Sequence, residues 1–134
     1  MTKPNVLDSF ALIAFLAKER GFEKVRALLH EAQASNRPLL MNEINIGEVY
    51  YLTAREQSVE QAEAFLHDLE TLPIHPVTNT FQQVLDAARL KARFPVSYAD
   101  AFATATAVRE GARLVTGDPE LRSVAHLVEI LWIP

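Results

Sequence analysis

The sequence predicts a three-layer α/β/α domain built on a mostly parallel central sheet of about five strands. Short apolar or β-branched runs alternate with longer stretches of helical periodicity, the pattern of βαβ units with right-handed crossovers. Those runs are apolar throughout rather than alternating, as in strands buried on both faces. No repeat, low-complexity tract or Pro/Gly-rich linker divides the 134 residues, so 1–134 reads as a single domain. Several neighbouring elements are helix followed by helix, which rules out a plain doubly wound repeat.

The first strand is "NVLD" (5–8), followed by the apolar helix "SFALIAFLA". A second helix over 22–34 sets Val25, Leu28, Leu29 and Ala32 on one face. "RPLLMN" (37–42) is a strand entered from a proline, and 43–56 is helical, with Ile44 and Leu52 four residues either side of Glu48. Ser58 caps a helix over 59–72, with Gln61 three residues on. "IHPV" (74–77) is a strand whose Pro76 places it at a sheet edge. An amphipathic helix over 80–93 turns Val84, Leu85, Ala88 and Ala92 inward and is closed by Pro95. Ser97 then caps the helix of "SYADAFATATA", which Gly111 ends. "RLVTGD" (113–118) is a strand and turn, 119–123 a short helix, and "LVEILWI" (127–133) the final strand.

Apolar residues make up 49% and charged residues 22%, an ordinary globular balance. The chain has no cysteine, which excludes disulfides and thiolate metal sites and suits a reducing cytoplasm. Neither a signal-peptide pattern nor a bilayer-spanning run is present, so a soluble, cytoplasmic protein is expected, with no membrane partner. The net charge of −4 weighs against a broad nucleic-acid footprint.

Four acids stand in apolar company. Asp8 and Asp118 fall at or just past strand ends, where the functional crevice of an open α/β sheet lies, and they converge if those strands are neighbours. Glu48 and Asp100 lie on the apolar sides of their helices and are expected to point towards the sheet. Each also has a simpler account. Asp8 and Asp118 suit helix N-caps, the latter with Pro119 at the first helical position. Asp100 suits the positive end of a helix dipole, and Glu48 could turn outward. Together, however, four like charges repel unless protons or a cation intervene. Hard carboxylate oxygens are what Mg²⁺ or Mn²⁺ prefers, and such a site handles phosphoryl chemistry.

With those residues set out, the chain resembles the PIN domain, specifically the VapC-like toxins of type II toxin–antitoxin pairs. The carriers are "VLDSFALIAFL", "INIGEVYYL", "SYADAFATATA" and "LVTGDPEL", whose acids occur in the order Asp, Glu, Asp, Asp. The resemblance spans essentially the whole chain. It implies a metal-dependent endoribonuclease in which Asp8, Glu48, Asp100 and Asp118 hold one or two Mg²⁺ or Mn²⁺ ions, with Asp8 and Asp100 the foremost ligands. It places Ser9, Asn45, Ser97 and Thr116 where hydroxyls or amides orient acids or waters, although Ser97 also reads as a cap and Asn45 as a helix-surface residue. It further implies an RNA substrate, a homodimer and a cognate antitoxin. The antitoxin's groove would be lined by Phe10, Ile13, Phe15, Leu16, Tyr50 and Tyr51. Lys18, Arg20, Arg55, Arg89, Lys91 and Arg93 are the basic candidates for holding RNA.

Other readings fail on residues. Neither a phosphate-cradling GxxxxGK[ST] loop nor a GxGxxG turn is present, and no GxSxG elbow supports a serine hydrolase. His30, His67, His75 and His126 lack metal-ligand spacing. A non-catalytic Mg²⁺-binding receiver-type signalling domain stays open as an alternative ranked below the nuclease, since it would need a lysine near a late strand end and none follows Lys91. A housekeeping RNA-processing nuclease of the same fold remains the alternative to a toxin.

Overall fold

A computed structural model describes residues 2–134. Five strands, β1 (Asn5–Leu7), β2 (Leu39–Asn42), β3 (Ile74–Val77), β4 (Arg113–Thr116) and β5 (Ile130–Trp132), form one sheet in the order β3-β2-β1-β4-β5. Every pairing is parallel, so the sheet goes beyond the mostly parallel arrangement expected. Six helices connect the strands: α1 (Ser9–Leu16), α2 (Phe22–Ser35), α3 (Glu43–Glu56), α4 (Val59–Leu69), α5 (Phe81–Arg93) and α6 (Tyr98–Glu110). A 3₁₀ segment, Pro119–Val124, follows β4.

Strand side chains alternate between two cores. Leu7, Met41 and Val115 pack with Leu12, Val25, Leu29 and Phe65 on one face. Val6 and Leu114 pack with Ala101, Phe102, Ala103 and Ala107 of α6 and with Leu121 on the other. This is the three-layer arrangement, and both faces of the sheet are covered. Among the described residues no helix is long and apolar enough to cross a membrane.

Both sheet edges carry a feature that discourages further pairing. Pro76 lies in the outer strand β3, as its missing N–H requires. On the far side, Lys24 Nζ donates to the Trp132 carbonyl of β5 at 2.8 Å.

Several local expectations are corrected. α4 stops at Leu69 rather than 72, because Thr71 and Leu72 turn back onto the carbonyls of Asp68 and Leu69. β5 begins at Ile130: Leu127 and Val128 belong to the preceding turn, from which Val128 joins the core on the α6 side of the sheet. In α5 the buried residue is Ala87; Val84, Leu85 and Ala88 are half-buried and Ala92 is exposed. In α3 the buried face runs through Asn45 and Val49, which leaves Ile44 39% exposed and Glu48 on the flank. Asn45 is therefore not a surface residue.

Candidate metal centre

β1 and β4 are parallel neighbours, with Leu7 opposite Val115. Their carboxyl ends therefore deliver Asp8 and Asp118 to the same point, where the strand order reverses. Asp8 is fully buried and N-caps α1, its Oδ1 accepting from the Ala11 N–H at 2.8 Å. Its Oδ2 accepts from the Thr116 hydroxyl, and Thr116 Oγ1 in turn accepts from the Asp118 N–H at 3.0 Å. Thr116 thus ties the two strand-end acids together. Between them Gly117 leaves no room for a side chain, because the Phe10 ring occupies the space a Cβ would need.

The helices bring the other two acids. α6 buries every residue from Ala99 to Ala107, which its alanines make sterically possible. Its threonines are satisfied locally: Thr104 donates to the Asp100 carbonyl at 2.8 Å and Thr106 to the Phe102 carbonyl at 2.7 Å. Ser97 caps the helix by accepting from the Asp100 N–H at 3.1 Å, so the cap also sets the backbone of the acid. Asp100 is only 6% exposed. Glu48 is half-buried rather than fully inward, yet its charge acts on Asp8.

A buried amide braces these elements. Asn45 on α3 donates through Nδ2 to Ser9 Oγ at 3.2 Å and to the Ala99 carbonyl at 3.1 Å. It thereby joins the residue after Asp8 to the residue before Asp100. Ser9 donates back to the Asn45 carbonyl at 3.3 Å. The Asn45 Oδ1 is buried and has no hydrogen-bond partner.

The electrostatics follow from crowding and burial. Burial pushes the Asp8 carboxyl from 3.8 up to about 7, against the lowering effect of the Thr116 and Ala11 hydrogen bonds; the charges of Asp118 and Glu48 raise it further. Burial also raises Asp100 to about 8, reinforced by the Asp118 side chain against it and the charge of Asp8, while Ser97 opposes the shift. The ion pairs among the described residues are Lys3–Glu129, Arg26–Glu23 and Arg89–Asp86, and none reaches these acids. Among the described residues, then, no ion pair balances the charge of these acids. An oxygen-only donor set of crowded carboxylates fits a hard divalent cation.

One acid has no place in the sequence reading. Asp100, Asp118 and Glu120 each offer a carboxylate oxygen, all within 4.8 Å of one another. Asp118 caps the 3₁₀ segment by accepting from the Glu120 N–H at 2.9 Å, which curls Glu120 back beside it. The "DPE" spacing was the available signal, but a cap followed by a solvated acid explains it equally well.

Fold and site together define an α/β domain with an acidic centre at the switch point of a parallel sheet. The chain matches the PIN domain over residues 6–127, and it belongs to that family. This membership displaces the receiver-type alternative. No curated protein matches the chain in sequence. Among solved structures it is similar to a DNA-bound VapBC from Salmonella typhimurium, with a TM-score of 0.71, 15% identity and 100% of both chains covered. It is also similar to VapC20 of Mycobacterium tuberculosis, described as a sarcin–ricin loop cleaving toxin: TM-score 0.72, 18% identity, 94% of this chain and 98% of that one covered. VapBC-1 from nontypeable Haemophilus influenzae gives 0.64, 19%, 92% and 94%. At these identities the likeness establishes a shared fold.

Proposed function

We propose that the protein is a Mg²⁺- or Mn²⁺-dependent endoribonuclease, the toxin of a toxin–antitoxin pair, with Asp8, Glu48, Asp100 and Asp118 holding the cation. The observation that carries this is the convergence of buried and half-buried carboxylates, with no ion pair to them among the described residues, in a PIN domain. A bound divalent ion would supply Lewis-acid stabilisation of a phosphoryl oxygen and a lowered pKa for attacking water. The chain's own residues hold and orient the carboxylates. Thr116 and the Ala11 N–H fix both oxygens of Asp8, and Asn45 holds the Asp8 and Asp100 elements at one separation. Asp8 and Asp100 must shed protons to act as ligands, so cation affinity rises with pH. Hydrolysis that leaves a 5′-phosphate and a 3′-hydroxyl breaks the P–O3′ bond and puts the water oxygen on phosphorus.

Of the basic candidates for RNA, Lys18 and Arg20 are exposed, whereas Arg89 is paired with Asp86 and Lys91 Nζ donates to the Val96 carbonyl at 3.0 Å. For the antitoxin groove, Phe10, Leu16 and Tyr51 are 42%, 38% and 45% exposed, and Ile13, Phe15 and Tyr50 are half-buried. Homodimerisation and a cytoplasmic setting complete the reading.

The test is cleavage of RNA by the purified protein. Cleavage with Mg²⁺ is expected to stop on chelation and to fall about 1,000-fold for Asp100→Asn, several kcal/mol of lost transition-state stabilisation. Undiminished cleavage in either arm overturns the mechanism. Growth arrest on expression, relieved by a co-expressed partner, separates a toxin from a housekeeping nuclease.

A further inference from the structure

A second feature lies on α5 and α6, away from the acids. Ala105, Val108 and Arg109 on α6, residues 86, 89, 90 and 93 on α5, and Leu127 before β5 enclose an open groove of about 460 Å³. The α5 residues are spaced i, i+3, i+4 and i+7, a single stripe along the helix. Ala105 stands five residues after Asp100, roughly 140° around the helix, so the groove and the acidic centre occupy different sides of α6.

The floor is aliphatic, formed by Leu90, Ala105, Val108 and Leu127, and it is open to solvent: Val108 is 50% and Leu127 37% exposed. The rim is basic. Arg89, Arg93 and Arg109 border it against one acid, Asp86; Arg89 is paired with that acid, which leaves Arg93 and Arg109 as the rim's net positive charge on a chain whose net charge is −4. The Arg93 guanidinium lies over the Phe94 ring, 5.2 Å from its centroid.

We propose that this groove docks an amphipathic helix of a partner protein, its apolar stripe seated on the aliphatic floor and its flanking Asp and Glu side chains facing the arginine rim. Charge complementarity selects the acidic partner, and an aliphatic floor running beside the single i, i+3, i+4, i+7 stripe of α5 suits a helix with anchors at the same spacing. RNA is the poorer match. No aromatic ring lines the groove, so bases have nothing to stack on. The inference stands independently of the nuclease reading.

The experiment uses the whole protein and a fluorescein-labelled helical peptide with Leu at i, i+4 and i+7 flanked by Glu. Controls are a scrambled peptide, a Lys-for-Glu peptide and labelled oligouridine. Saturable binding that weakens with salt and falls at least about tenfold in both Arg109→Glu and Val108→Glu supports the proposal. Both positions are exposed, and an unchanged circular dichroism spectrum with an Arg89→Ala/Arg93→Ala variant as a second reading guards against misfolding. Absence of binding overturns it, as does equal binding of the scrambled or lysine peptide, or binding indifferent to these substitutions. Displacement of the peptide by oligouridine would make the groove an RNA surface and overturn it as well.

Discussion

The strand-borne and helix-borne halves of the acidic centre are held by different means. On the strand side, each Asp8 oxygen has a fixed protein donor, and Thr116 links that carboxylate to the backbone of Asp118. On the helix side, Asp100 faces Asp118 with only Ser97 opposing the repulsion. The first half is preorganised by hydrogen bonds. The second keeps its geometry only when a proton or a cation sits between carboxylates. A single centre thus combines a rigid anchor with a charge-dependent partner.

The largest expected effect of that contrast is on stability against pH. Both groups hold protons in the folded state at pH values where an unfolded aspartate, near 3.9, has lost them. Their contribution to stability is full below about pH 4 and is lost as pH rises through about 7 and 8. For Asp8, buried and shifted from 3.8 to about 7, this is on the order of 4 kcal/mol. Thermal unfolding without divalent ions should show a Tm that declines from pH 5 to pH 8. Mg²⁺ should restore it, more at pH 8 than at pH 5. A flat profile would remove the charge-dependent half of the comparison.

Thr116→Val attacks the rigid half. It strips Asp8 of a hydrogen bond that lowers its pKa and leaves the Asp118 N–H without its acceptor, at a cost of about 1–3 kcal/mol. The acid limb of a cleavage pH profile should move upward, because Asp8 then ionises less readily. Ser97→Ala touches the other half and removes an exposed cap, so urea titration should register about 1 kcal/mol. Smallest is Glu120→Gln. Isothermal titration should show a modest loss of Mg²⁺ affinity with no change in Tm, since the Glu120 side chain is exposed.

What could be read from the sequence, and what could not, divides along physical lines. The strand-end acids were legible because a cap residue after an apolar run marks a strand terminus, and proximity follows once those strands pair. Pro76 announced an edge strand for the same local reason. Asp100 was legible from the run of alanines and threonines around it, which only a buried helix accepts. Glu48 was placed too deep. Periodicity finds a stripe but not its centre, and α3 packs against α1, α4 and α6 as well as the sheet, which rotates the buried line onto Asn45 and Val49. Glu120 was missed because its approach depends on the curl of the 3₁₀ segment, which spacing alone does not reveal. The bracing role of Asn45 depends on contacts with Ser9 and Ala99, distant in sequence.

The treatment of the sheet margins has a bearing on assembly. With Pro76 in one outer strand and Lys24 occupying a main-chain acceptor on the other, neither border offers an uninterrupted ladder to an incoming chain. Assembly by extending the sheet is disfavoured at both margins, and a crowded population of copies is guarded against zipping into fibrils.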